Sequence, residues 1–175
     1  MESASGDGAR VTPCGVSHVA VVTGDLEGYR AFYGEIIGLR ATMIMGAGQG
    51  HGRHAVFAAG EVMLHVFEVA GYAPADRGFT STMFERGRLD HLGFTVRDET
   101  ALAALRDRLL AVDATSGVIR RLGPMLSVRF HDPDGFEGEV NCLDPSYDPA
   151  SVRDEDEIVD PCWFEHTRHV LRRDR

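Results

Sequence analysis

The first third of the chain alternates between short β-branched runs and one stretch with apolar residues at helical spacing. Residues 16–23 (VSHVAVVT) are rich in valine and predict a strand. Asp25 is a suitable N-cap, and a helix is predicted from there until Gly38 ends it. Three further strands are predicted over residues 40–45, 53–59 and 62–69, with glycine-containing connections between them. The order of elements is therefore β-α-β-β-β.

The same order recurs in the second half. A strand is predicted over residues 89–96, then a helix capped by Asp98 and extending to residue 110, then strands over 115–122, 126–131 and 136–143. The offset from His18 to His91 (91 − 18 = 73) equals that from Asp25 to Asp98 (98 − 25 = 73). We interpret the chain as one α+β domain over residues 14–143. It consists of two βαβββ modules (14–70 and 88–143), followed by a tail (144–175) with a predicted terminal helix.

Composition narrows the possible functions. With 175 residues, 43% of them hydrophobic and 26% charged, the chain is typical of a single globular domain. Its formal charge of -9 argues against nucleic acid as a partner. No apolar run approaches the roughly 18 residues of a membrane span, and no secretory signal is evident, so a cytoplasmic location is expected. The odd number of cysteines, with no CxxC spacing, predicts that Cys14, Cys142 and Cys162 are free thiols.

Four residues of metal-ligand type occupy matching places in the two modules. His18 and His91 lie on the first strand of each module, and His65 and Glu139 lie on the last. Modules placed side by side would bring all four together. Two imidazoles and a carboxylate are the ligands with which proteins hold non-haem Fe(II) while leaving positions open. The competing interpretation is a polar sheet face exposed to water.

Strand alternation supports one polar face on the predicted sheet. Ser127, Arg129 and His131 share a face with Glu139 and its strand neighbours, whereas Val128 and Phe130 point the other way. A curved mixed sheet with such an inner surface would enclose a metal-containing cavity. The other histidines are interpreted as surface residues: His51, His54, His166 and His169.

Three segments resemble the vicinal oxygen chelate superfamily: SHVAVVTGDLEGYRAFYGEIIGLR, DHLGFTV and VRFHDPDGFEGEV. This superfamily contains glyoxalase I, methylmalonyl-CoA epimerase, fosfomycin and bleomycin resistance proteins, and type I extradiol dioxygenases. The resemblance covers about residues 14–143. It implies that His18, His91 and Glu139, which comes four residues after Gly135, are the metal ligands.

The position on the last strand of the first module, which is His65 in this chain, distinguishes the branches of the superfamily. Glyoxalases have a ligating Glu there and the epimerase a Gln, but this chain has His65, which resembles the acid-base histidine of extradiol dioxygenases. Arg129 stands where many of these enzymes have a Tyr. The length resembles that of the small L-DOPA dioxygenases. The resemblance implies Fe(II)-dependent cleavage of a catechol by O₂ to a semialdehyde-type product. Arg129, Arg120 or Arg121 could hold a substrate carboxylate, because a guanidinium group matches its geometry, and His131 is a further candidate substrate-binding residue.

Two alternatives stay open. A Zn, Ni or Co isomerase of the glyoxalase or epimerase type would use His65 as a fourth ligand. A protein that sequesters drugs without catalysis would need no metal. The resemblance also leaves open whether the modules pair within one chain or between the two chains of a homodimer.

Overall fold

A computed structural model of the chain describes residues 15–48, 52–73 and 89–147. The first module has six elements: β1 (His18–Thr23), α1 (Leu26–Ala31), a π-helical segment (Phe32–Ile37), β2 (Arg40–Met45), β3 (His54–Ala59) and β4 (Val62–Glu68). The second module has five: β5 (Leu92–Thr95), α2 (Glu99–Leu110), β6 (Ile119–Leu122), β7 (Met125–His131) and β8 (Glu137–Leu143). The predicted order of elements is confirmed in both modules.

The helix ends follow the predicted capping residues. The Asp25 carboxylate accepts a hydrogen bond from the Gly28 N–H at 3.0 Å, and Asp98 accepts one from the Ala101 N–H at 2.9 Å. Gly38 ends the first helical region with a φ of 91°, a left-handed conformation that glycine adopts without strain. Both helical regions therefore begin at the predicted aspartates, and the first ends at the predicted glycine.

The strands form two four-stranded mixed sheets, one in each module. Their orders are β1-β4-β3-β2 and β5-β8-β7-β6, with β1 parallel to β4 and β5 parallel to β8. All other neighbouring pairs are antiparallel. The α+β class is confirmed. The parallel strands β1 and β5 each lie at a sheet edge.

Both modules contribute to one hydrophobic core. The Phe32 ring lies 5.8 Å from the Phe130 ring, and the Tyr33 ring lies 6.1 Å from that of Phe94. The predicted apolar face of β5 is confirmed, since Leu92 and Phe94 pack against the core. Each sheet therefore presents one face to the shared core and turns the other face away from it.

Several predictions fall outside the described residues. These are the terminal helix of the tail, most of the linker between the modules, and the positions of Cys14, Cys162, His51, His166 and His169. Cys142 is a buried free thiol, as predicted. Within the described part of the chain, no helix is long and apolar enough to cross a membrane.

Candidate metal centre

The first sheet brings His18 and His65 together on the face that points away from the core. His65 pairs with Ala20, two residues after His18, and the two imidazole rings lie 4.7 Å apart. Ser17 Oγ lies 2.9 Å from His18 Nδ1. This hydrogen bond occupies Nδ1 and leaves Nε2 of His18 available to a ligand. We call His18 and His65 the first half-site.

The second sheet brings His91 and Glu139 together in the same way. Glu139 pairs with Gly93, two residues after His91, and Glu139 Oε2 lies 3.7 Å from His91 Nε2. Asp90 Oδ2 lies 2.8 Å from His91 Nδ1. Because an ionised carboxylate only accepts hydrogen bonds, the proton belongs on Nδ1 and the lone pair on Nε2, as a metal ligand requires. We call His91 and Glu139 the second half-site.

The Glu139 carboxylate is buried and oriented by neighbouring side chains. It is 6% exposed, and its Oε1 accepts a hydrogen bond from Asn141 Nδ2 at 3.2 Å. Asn141 in turn accepts one from the Thr95 hydroxyl at 3.1 Å. A carboxylate removed from water needs a cationic partner. The donor types and their hydrogen bonds thus suit a divalent cation.

The structure does not bring the two half-sites together within the described part of the chain. No group of three His, Cys, Asp or Glu side chains there could hold a metal ion. The reason is the shared core: the opposite faces of both sheets pack into it, so the faces that carry the half-sites point away from it. Assembly of His18, His91 and Glu139 into one site stays a prediction.

The predicted substrate residues on β7 share the face of the second half-site. Arg129 pairs with Glu139, and its Nη1 lies 3.5 Å from Glu137 Oε1. His131 pairs with Glu137, and its Nε2 lies 3.8 Å from Glu137 Oε2. Arg129 and His131 are therefore within the polar surface that the alternation predicted.

The two arginines of β6 lie on opposite faces of the second sheet. Arg120 pairs with Ser127 and shares the polar face, whereas Arg121 pairs with Leu126 of the core face. Arg121 forms an ion pair with the buried Asp144 and donates to Ser146 Oγ at 3.0 Å. Arg120 is thus on the side of the second half-site, and Arg121 faces away from it.

Sequence reasoning missed three side chains at the half-sites. His54, interpreted as a surface residue, begins β3 with its ring stacked on Phe67 at 4.1 Å and 5.2 Å from His65. The roles of Asp90 and Asn141 were also missed. Asp90 could have been identified from the sequence, because a polar residue directly precedes the first-strand histidine in each module: Ser17 before His18 and Asp90 before His91.

Comparison with protein families gives one match that covers most of the chain. The family model described as the glyoxalase/bleomycin resistance protein/dioxygenase superfamily matches residues 15–140. No curated protein matches the chain.

Solved structures show the same fold. A glyoxylase/bleomycin resistance protein/dioxygenase domain from Frankia sp. EAN1pec is 27% identical with a TM-score of 0.60; the match covers 76% of this chain and 100% of that one. A glyoxalase/dioxygenase from Nostoc punctiforme is 22% identical with a TM-score of 0.58, covering 78% and 97%. A lactoylglutathione lyase from Agrobacterium tumefaciens is 23% identical with a TM-score of 0.53, covering 75% and 95%. At such identities the last two show the fold alone.

Proposed function

This chain belongs to the glyoxalase/bleomycin resistance protein/dioxygenase superfamily, and we propose that it is an Fe(II)-dependent enzyme that cleaves a catechol ring with O₂. Members of this superfamily bind divalent metal ions. The observation that carries the proposal is His65 beside His18, with rings 4.7 Å apart. It adds a proton-transferring imidazole to a set of two histidines and one carboxylate.

His18, His91 and Glu139 would hold the metal. Two imidazole nitrogens and one carboxylate oxygen suit non-haem Fe(II) and leave positions open. When bound, the iron supplies adjacent positions for the catechol oxygens and for O₂, and exchanges electrons between them. The Nδ1 hydrogen bonds of His18 and His91 support this role, because they keep each Nε2 free.

A second copy of the chain would complete the site. The first half-site of one copy would meet the second half-site of the other across a two-fold axis, so that each dimer holds two equivalent sites. Exposed apolar side chains on the face of the first half-site support such contact: Val22 is 44% exposed, Met43 52% and Met63 47%. A face of this kind is typical of a surface that a partner covers.

Different side chains of the protein would transfer protons and bind the substrate. His65 would take a proton from a catechol hydroxyl and later return one, since imidazole exchanges protons near neutral pH. Arg129 and Arg120 share the face of the second half-site and would hold a substrate carboxylate through their guanidinium groups. Arg121 is not included, because it lies on the opposite face.

Subunit complementation tests the shared site. One variant carries His18→Ala and His65→Ala, and the other carries His91→Ala and Glu139→Ala. Each alone should neither bind metal nor turn over substrate. After unfolding and refolding together, half of the dimers pair the two variants and hold one intact site, so metal binding and activity should recover to about a quarter of wild type. No recovery despite mixed dimers would contradict the shared site.

Turnover tests the reaction itself. After Fe(II) reconstitution, catechols such as L-DOPA should consume one O₂ per ring cleaved, with a yellow product and no reaction under anaerobic conditions. His65→Ala should lose at least about 100-fold in kcat while still binding iron. The control is His54→Ala, which removes the neighbouring imidazole and should retain most activity. O₂-independent metabolism, or full activity of His65→Ala, would refute the proposed reaction.

A divalent-metal isomerase is the second candidate. It is favoured by the short distance between the His18 and His65 rings, which would let both imidazoles bind one metal ion. In that case His65→Ala would lower metal affinity as well as turnover. Retained iron binding in His65→Ala, together with O₂ uptake, excludes this alternative.

A further inference from the structure

Methionines share the sheet face that carries the first half-site. Met63 pairs with His18 in the register of β1 and β4, and it precedes His65 by two residues on β4. Met43 lies in the same row as His65, because Val56 of β3 pairs with both residues. Directly paired residues, and residues two apart on a strand, point to the same side of a sheet. Met43 and Met63 therefore lie on the surface of the candidate ligands.

Met45 adds a third thioether to this surface, two residues after Met43 on β2. Its side chain is 37% exposed, and Met43 and Met63 are about half exposed. The fourth methionine of the described residues, Met125, is only partly exposed and lies on the second sheet. We call Met43, Met45 and Met63 the methionine face. Exposed methionine in the described part of the chain is thus confined to the face of the first half-site.

The face of the second half-site offers an apolar row to which the methionine face could pack. Leu122 of β6 pairs with Met125 of β7, and Met125 pairs with Leu143 of β8. Leu143 follows Glu139 by four residues on β8, so the row lies on the same side of the sheet as that carboxylate. Each half-site face therefore combines candidate ligands with apolar side chains, as contact between two copies of the chain requires.

The thioether of methionine reacts with peroxides. Its sulfur donates an electron pair to one oxygen of hydrogen peroxide, so that the O–O bond breaks and an S–O bond forms. The sulfur is oxidised by two electrons to the sulfoxide, and the peroxide is reduced to water. The sulfoxide oxygen is a polar acceptor, and its burial in an apolar contact without a hydrogen bond is unfavourable. Oxidation thus converts an adhesive surface into a polar one.

We propose that the methionine face is a peroxide-sensitive modification site that controls the association of two copies of this chain. The inference rests on the proposed function, in which the first half-site of one copy meets the second half-site of the other. Reduced thioethers are apolar and flexible, and they pack against the second copy. Sulfoxides keep the copies apart, so that His18 no longer meets His91 and Glu139. Sulfoxide reductases reverse the modification.

Peroxide treatment of the Zn(II)-loaded full chain tests the proposal, because zinc has no redox chemistry of its own. Untreated protein should sediment as a dimer. Oxidation of the three methionines, followed by peptide mass spectrometry, should raise the dimer dissociation constant at least about 10-fold, and sulfoxide reductase should restore it. A dimer that persists after oxidation of all three would overturn this inference and leave the shared metal site standing. A protein that is monomeric before treatment would overturn both.

Two triple variants assign the effect to the methionine face. Met43→Leu, Met45→Leu and Met63→Leu together keep the apolar surface and all three cysteines of the chain but remove the thioethers. This variant should dimerise like wild type and should not respond to peroxide. The corresponding substitutions to Gln, which is polar like the sulfoxide, should weaken the dimer without peroxide. Equal dissociation of the leucine variant and wild type in peroxide would place the reactive groups elsewhere and refute the assignment.

Discussion

Gly138 lies in β8 opposite Phe130, and a methyl group there would collide with the phenyl ring. A Cβ built on Gly138 overlaps Cζ of Phe130 and stands 2.5 and 2.6 Å from its two Cε atoms. Ordinary contacts of this kind are 3.4–4 Å. The ring is fully buried and packs against those of Phe32 and Phe94. Gly138→Ala therefore forces the ring or the strand to move by about 1 Å in a close-packed core.

The cost follows from this overlap. Overpacking a core costs about 1–3 kcal/mol, and the rigid buried ring places this substitution near the upper end. The alanine also lowers the conformational entropy of the unfolded chain, which raises the free energy of unfolding by about 0.5–1 kcal/mol. The net loss of unfolding free energy should be about 2 kcal/mol, and Tm should fall by about 4–8 °C in a protein of this size.

Urea unfolding and thermal melting measure the effect against a matched control. Gly93→Ala makes the same change in the neighbouring strand β5, but its Cβ would meet only Asn141 Nδ2 at 3.5 Å. That variant should stay within about 0.5 kcal/mol of wild type. Phe130→Leu alone should cost about 1 kcal/mol. Combined with Gly138→Ala, it should cost less than the sum of the two, because the smaller side chain removes the collision.

The result also concerns the metal centre, because Glu139 is the next residue. If β8 moves rather than the ring, metal affinity should fall in Gly138→Ala and recover in the double variant. Equal stabilities of Gly138→Ala and Gly93→Ala, or additive losses in the double variant, would refute the steric reasoning.

Two further predictions follow from individual carboxylates. Asp90→Ala removes the partner of His91 Nδ1 and should weaken Fe(II) or Zn(II) binding by about 10–100-fold in chelator competition. Unchanged affinity would contradict the orienting role of Asp90. Burial raises the pKa of Asp132 from 3.8 to about 6, so the folded state holds the carboxyl proton more tightly than the unfolded state does. The folded state therefore loses stability as pH rises from about 4 to 6. The loss is about 3 kcal/mol, at about 1.36 kcal/mol per pKa unit. Asp132→Asn should therefore gain stability relative to wild type over that window in urea unfolding, and a pH-independent difference would contradict the assignment.

Much of the fold was predictable because the relevant signals are local. Asp25, Asp98 and Gly38 mark helix ends through their own side chains or backbone freedom. The periods of two and 3.6 residues determine which side chains share a face. The change from α-helical to π-helical geometry at Phe32 was missed, because it places Phe32, Tyr33 and Ile37 in a core formed by distant residues.

The half-sites were partly predictable for the same reason. His18 and His65, like His91 and Glu139, belong to strands of one module. Their nearly equal spacing in the two modules (65 − 18 = 47 and 139 − 91 = 48) indicated that each pair comes together, as the strand pairing shows. The hydrogen bond from His91 to Asp90 depends on side-chain rotation, which a spacing pattern does not contain.

By itself, the sequence determined the two βαβββ modules, their helix ends and the identity of the faces that carry the candidate ligands. Tertiary structure decided that both modules place their apolar faces in one core, which directs the two half-sites away from it. The reason is that local periodicity specifies a face but not what it packs against. Two repeats with the same pattern can bring their polar faces together within one chain or between chains, and burial of the largest apolar surface selects between these arrangements.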